Sequence, residues 1–139
     1  MIDSTVQEMT DRHAITDLVS RLGLWLDEMR FDDPRSLFTE EVTVATLGGQ
    51  AEGIDRAVAQ ARRNHAVERL QHVITNVLID LDGDRATVGA NLVVTFVPRA
   101  DDPASQFALG ERYRFEAVRT AQGWRLSRVE IRPVWRSGG

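Results

Sequence analysis

The chain has 139 residues, a length that suits one ordinary folded domain, with 42% hydrophobic and 27% charged residues, a globular composition. It contains no Cys, and all 17 basic residues are Arg, which excludes thiolate nucleophiles, thiolate metal sites, disulfides, Schiff-base chemistry and the lysine of a P-loop. The formal net charge of -4, with arginines scattered among acids, leaves no basic face for nucleic acid.

The opening segment, Met1 to Asp11, carries Asp3, Glu8 and Asp11 and no apolar run, so it reads as neither a signal nor a transit peptide. No apolar stretch approaches the ~18 residues that span a bilayer. A soluble, cytoplasmic protein without membrane contact is expected.

Ile15, Leu18, Val19, Leu22, Trp25, Leu26 and Met29 recur at spacings of three and four, predicting a helix from about Thr10 to Arg30 with Thr10 as N-cap. Asp32, Asp33 and Pro34 mark a turn, and Pro34 opens a short helix through Phe38. Val42 to Leu47 reads as a strand closed by Gly48 and Gly49. A second amphipathic helix is expected from Ile54 to Leu70. The period then changes to two, and four long strands follow: His72 to Leu81, Ala86 to Val97, Gln106 to Arg119 and Trp124 to Trp135. Short connections make a continuous antiparallel meander the economical arrangement. Helices first and strands last is the α+β pattern, with residues 1–139 forming one domain.

Four segments carry a resemblance: Ile15 to Leu18 with Arg21 and Asp27; Ser36-Leu37-Phe38 with Glu40 and Glu41; Gln71 to Asn76; and Gly110 to Tyr113 followed by Arg119, Gly123, Trp124 and Arg125. Their order resembles the SnoaL-like branch of the nuclear transport factor 2-like superfamily, with its scytalone dehydratase, hexachlorocyclohexane dehydrochlorinase and polyketide cyclase relatives. The resemblance implies a cone: a curved antiparallel sheet, cystatin-like, wrapped around N-terminal helices and a deep pocket. It also implies that Asp27 and His72 form a catalytic pair.

A carboxylate that accepts the proton of one imidazole nitrogen fixes the tautomer and leaves the other nitrogen as a base near neutral pH. Such a pair needs no cofactor or metal, and the three His show no metal-ligand spacing. Strict alternation places His72, Ile74, Asn76 and Leu78 on one strand face. Asp27 lies outside the stripe of Ile15, Leu22 and Met29, so the reading of it as a solvated helix-end acid stays open; Gly23, one turn earlier, marks the gap that would let this side be covered. For His72 the alternative is a strand residue bonded to a neighbour, and His13 and His65 read as structural or exposed.

The supporting substrate-binding candidates are Trp25, Asn76, Tyr113, Arg132 and Trp135. Tyr113 shares a face with Glu111 and Phe115 and is either a pocket hydroxyl or a core residue. Asn76 orients a substrate oxygen or bonds the sheet edge. Trp25 and Trp135 are pocket or dimer-interface aromatics. The resemblance gives Arg132 a part in helping an anion leave, but Arg128, Glu130 and Arg132 alternate like an outer face of ion pairs, the favoured reading. Leu22 stands where many relatives have Tyr, so the paired tyrosines of scytalone dehydratase-like chemistry are absent. Two functions remain: a cofactor-independent lyase or isomerase acting on a small hydrophobic, polyketide-like substrate, and a noncatalytic binding or assembly module. Self-association as a homodimer or higher homo-oligomer is expected, through the outer face of the sheet.

Overall fold

The computed structural model describes residues 3–138. Helix α1 (Ser4–Glu28) begins at Asp3, whose side chain accepts from the Thr5 N–H, and not at Thr10. Thr10 is helical and its hydroxyl donates to the Val6 carbonyl one turn back, so it caps nothing. The predicted stripe is the buried face: Ile15, Leu18, Val19, Leu22 and Leu26 all lie in the core. Met29 ends the helix in a left-handed conformation and donates its N–H to Leu26. Left-handed Phe31 and Asp33 then turn the chain back, and Trp25 Nε1 donates to the Asp32 carbonyl at 2.7 Å.

The short helix at Pro34 is one 3₁₀ turn, Pro34–Ser36. The first strand, β1 (Phe38–Thr46), starts earlier than expected, and Gly49–Glu52 forms an unpredicted partner, β2. Helix α2 (Ile54–Asn64) stops six residues short of the predicted Leu70, because β3 (Arg69–Asp82) already claims the chain at Arg69. The remaining strands are β4 (Arg85–Val97), β5 (Phe107–Thr120) and β6 (Gly123–Gly138).

The sheet order is β2-β1-β6-β5-β4-β3, so β3 to β6 form the expected meander. The chain's first strand joins the meander by pairing parallel to β6. Curvature comes from bulges, each of which adds an unpaired residue and bends its strand. In β3, two residues oppose Ala90 between the pairs Thr75↔Asn91 and Leu78↔Gly89, and Asn76 takes the left-handed φ of 56°. Asn tolerates that conformation better than most residues. In β6, a register shift opposite Glu116 and Ala117 moves the inward set from Trp124 and Leu126 to Val129 and Ile131.

The bent sheet packs against both helices around one apolar core in which Phe115, Ile15, Leu126, Val88 and Val19 are almost fully enclosed. Burying each such large side chain contributes roughly 1.5–3 kcal/mol before entropy is counted. At one end of the core, Asp11 accepts two bonds from Arg119 at 2.8 Å and one from Trp124 Nε1 at 3.1 Å. Arg119 also donates to Asp84, tying α1 to β5 and to the β3–β4 turn. Among the described residues, no helix is long and apolar enough to cross a membrane.

Candidate active site

Gly23 decides how α1 meets the sheet. A Cβ there would sit 3.1 Å from Ile74 Cδ1 and 3.9 Å from His72 Cβ, so a bare glycine lets β3 press against the helix. One turn later, Asp27 projects to the same strand. Its Oδ1 lies 2.7 Å from His72 Nδ1, and its two oxygens lie 2.9 and 3.0 Å from the His72 backbone nitrogen.

A carboxylate only accepts, so Nδ1 carries the proton and the neutral ring leaves Nε2 bare. The His72 side chain is 2% exposed, whereas Asp27 is 23% exposed. Burial pushes the imidazole below its ordinary value, and the bond from Asp27 pulls the other way. The ring is therefore neutral, a free base, around pH 7.

His72 forms part of the wall of an inner chamber of about 70 Å³. Leu22, Trp25, Leu26, Phe38, Leu92 and Val94 make most of this lining apolar, with Tyr113 beside them. Asp27 is not on the chamber wall; it stands behind the ring, facing shallow outer grooves. The chamber opens into a vestibule of about 700 Å³, and Thr46, Asn64, His65, Phe96, Glu111 and Ile131 border both spaces.

The expected site residues divide cleanly. Trp25 and Tyr113 line the inner chamber, and Trp135 lines the vestibule, lying across Gly110, where any Cβ would fall inside its indole. Asn76 and Arg132 lie outside both chambers. The β3 bulge breaks the alternation from His72 to Leu78, so Asn76 is exposed, Leu78 is 76% exposed and Val77 packs inward instead. Arg132 is 76% exposed and pairs with Glu130 at 2.7 Å, on the outer ion-paired face.

Two groups that the sequence reading left aside do reach the site. His65, read as structural or exposed, caps α2, and its Nδ1 lies 2.7 Å from the Ala61 carbonyl. Its ring lies 5.5 Å from that of His72 and stacks on Phe96 at 6.0 Å, and burial pushes its pKa down. Glu111, noted only as a neighbour of Tyr113 on its strand face, stands at the neck; burial pushes its carboxyl upward. Its place on the Tyr113 face was the available signal. Tyr113 is held well above its ordinary value, by burial first and then by Glu111 and Asp27. Among the described residues, no three His, Asp or Glu side chains are grouped to hold a metal ion.

Comparison with known proteins identifies the family and the fold. Residues 7–130 match the family described as SnoaL-like domain. The chain is 29% identical over 131 residues to the uncharacterized protein Rv2910c of Mycobacterium tuberculosis, covering 89% of this chain and 86% of that one. Among solved structures, the Kfla4162 protein of Kribbella flavida is 28% identical, with a TM-score of 0.86 over 94% of this chain and 95% of that chain. The hexachlorocyclohexane dehydrochlorinase LinA-type3 of Novosphingobium barchaimii shares the fold, with 17% identity and a TM-score of 0.83 over 98% and 94% of the two chains. So does an NTF2-like protein with a cystatin-like fold from Novosphingobium aromaticivorans, with 23% identity and a TM-score of 0.79 over 94% and 90%.

Proposed function

We propose, for a chain that belongs to the SnoaL-like domain family, that its inner chamber carries out cofactor-independent proton transfer on a small apolar substrate, as a lyase or isomerase with His72 as general base. The observation that carries this reading is the buried His72 ring, tied through Nδ1 to Asp27 and placed on the chamber wall with Nε2 bare. A cavity that only binds needs no such arrangement. Pinning one tautomer of a buried imidazole serves a step in which the other nitrogen gains a proton.

In that step, Nε2 removes a proton from a carbon next to a carbonyl. The C–H electron pair becomes a C=C bond while the carbonyl π pair moves to oxygen. The imidazolium so formed is stabilised by Asp27, which touches the ring and not the substrate and is therefore a positioning residue. The proton can return at another carbon, giving isomerisation, or a neighbouring leaving group can depart, giving elimination. The name of the dehydrochlorinase relative states an elimination. Attack by the new carbon nucleophile on a second carbonyl would give ring closure of a polyketide-like substrate.

The test is deuterium incorporation from D2O into small uncharged ketones, beginning with 2-cyclohexenone, followed by NMR at the carbon beside the carbonyl. Wild-type protein should accelerate it, and His72→Gln should lose about 10²- to 10⁴-fold. Exchange by His72→Gln at the wild-type rate contradicts the reading. A second copy of the chain is the proposed protein partner, because Val73 and Val93 pair across β3 and β4 while 50% and 40% exposed. Light scattering should show more than a monomer at micromolar concentration, with Val73→Asp shifting it to the monomer; a monomeric wild type contradicts this.

A further inference from the structure

Glu111 is a half-buried acid that pairs with no side chain among the described residues. Burial is the one influence that moves its pKa; no hydrogen bond and no opposite charge contributes. Other enclosed acids are engaged: Asp11 by Arg119 and Trp124, Asp27 by His72, and Glu130 by Arg132. Its carboxyl reaches open space at a neck shared with Thr46, Asn64, His65, Phe96 and Ile131, and an acid without an ion-pair partner placed in a cleft is characteristic of groups kept for a task.

The strand register sets its distance from the base. His72 pairs with Val94, and Glu111 pairs with Leu92, two residues along the same inward face of β4. At about 4.8 Å between strands and about 3.4 Å per residue, the two backbones are roughly 12 Å apart. Both side chains border the same chamber, so the space between them has the width of one small molecule.

We propose that Glu111 is a second proton-carrying group of this site, which in its acid form donates a hydrogen bond to the carbonyl oxygen of an uncharged substrate whose acidic carbon faces His72. The proposal rests on the proton-abstraction reading above and names what that reading lacks, a partner for the charge that develops on oxygen. As Nε2 takes the carbon-bound proton, the carbonyl π pair moves to oxygen and the Glu111 proton goes to that oxygen, giving a neutral enol. With a β,γ-unsaturated ketone, the imidazolium then protonates the γ carbon while the enol proton returns to Glu111. The double bond has moved, and both side chains are restored. A ligand filling the chamber excludes water from the neck and shifts Glu111 towards its acid form. A carboxylate-bearing substrate would instead set a second negative charge against Glu111, so the site selects uncharged carbonyl compounds.

The titratable and charged groups bordering the same two spaces are His65, His72, Tyr113, Arg63 and Arg136, so the test reads the substrate oxygen directly. Full-length protein is saturated with 2-cyclohexenone carrying ¹³C at the carbonyl. In wild type and in His72→Gln the bound carbonyl resonance should move downfield of the free value. Glu111→Leu should return it towards the free position. Glu111→Gln, of the same size, should keep part of the shift through its N–H but lose at least tenfold in deuterium incorporation beside the carbonyl. Absence of a bound shift in wild type, or an unchanged shift in Glu111→Leu, overturns the proposal. A Glu111-dependent shift with exchange unaffected by His72→Gln overturns the base assignment alone.

Discussion

The Asp27 carboxylate holds His72 twice, by its backbone N–H at 2.9 and 3.0 Å and by its ring Nδ1 at 2.7 Å. One side chain of α1 therefore fixes both the height of β3 against the helix and the orientation of the imidazole. An amide at this position offers one acceptor oxygen in place of two and can hold the ring in the opposite tautomer. Asp27→Asn should lose nearly as much proton-transfer rate as His72→Gln, and the double variant should be little worse than either, because groups acting as a unit are not additive. Exchange kinetics on the three variants check this; additive losses would separate the two residues.

The rate should also report the state of His72. Burial holds the ring below its ordinary 6.5, so the free base predominates at neutral pH and activity should fall as the pH drops below that value. Asp27 pulls the ring upward, so the His72 titration should move lower still in Asp27→Asn. An NMR titration of the ring, beside the pH–rate profile, checks both directions. An acid limb above 6.5 would point to another base.

Gly23 is the contact that permits the pair. In Gly23→Ala the new methyl meets the flexible end of Ile74 at 3.1 Å, while helix propensity improves by about 1 kcal/mol, so stability should change little. Gly23→Val places branched atoms where β3 packs, and overpacking costs about 1–3 kcal/mol. It should also part His72 from Asp27, so the exchange rate should fall in protein that still folds. Denaturant melts and exchange rates on both variants decide; a fully active Gly23→Val would show that the close approach is unnecessary.

Asp11 contributes to the acid sensitivity of the fold. Its bond from Arg119, helped by Trp124 and Gln7, holds it at about 2 against an ordinary 3.8. A carboxyl lowered in the folded state stabilises fully above its unfolded value, and that contribution disappears as the pH falls from about 4 through about 2. Asp11→Ala leaves the Trp124 N–H without its acceptor and Arg119 with Asp84 alone, and should cost about 1–3 kcal/mol at pH 7. Its stability should then vary less between pH 4 and 2 than that of wild type, as measured by urea melts.

How much of this was legible follows from what each residue needs. The α1 stripe and the four long strands could be read because burial imposes periods of 3.6 and 2 on the sequence. The start of α1 could not, because Ser4 to Met9 bury little and the true cap, Asp3, precedes the periodic residues. The edge strand β2, Gly49–Glu52, has no apolar alternation, and its existence depends on its partner β1. His72 and Asp27 were placed through the family resemblance, with Gly23 as the local physical clue. Asn76 was misplaced because one left-handed residue inverted the alternation behind it. Alternation puts Glu111 on the Tyr113 face, but that it and His65 meet at the neck depends on how the sheet bends, which no local pattern encodes.

Whether His72 presents a bare Nε2 to the chamber is read most directly, without any substrate, by ¹⁵N NMR of its ring in the labelled protein at neutral pH. The expected spectrum is that of a neutral imidazole with the proton on Nδ1, bonded to Asp27, and an unprotonated Nε2. A ring protonated on Nε2 alone, or on both nitrogens at neutral pH, would contradict it.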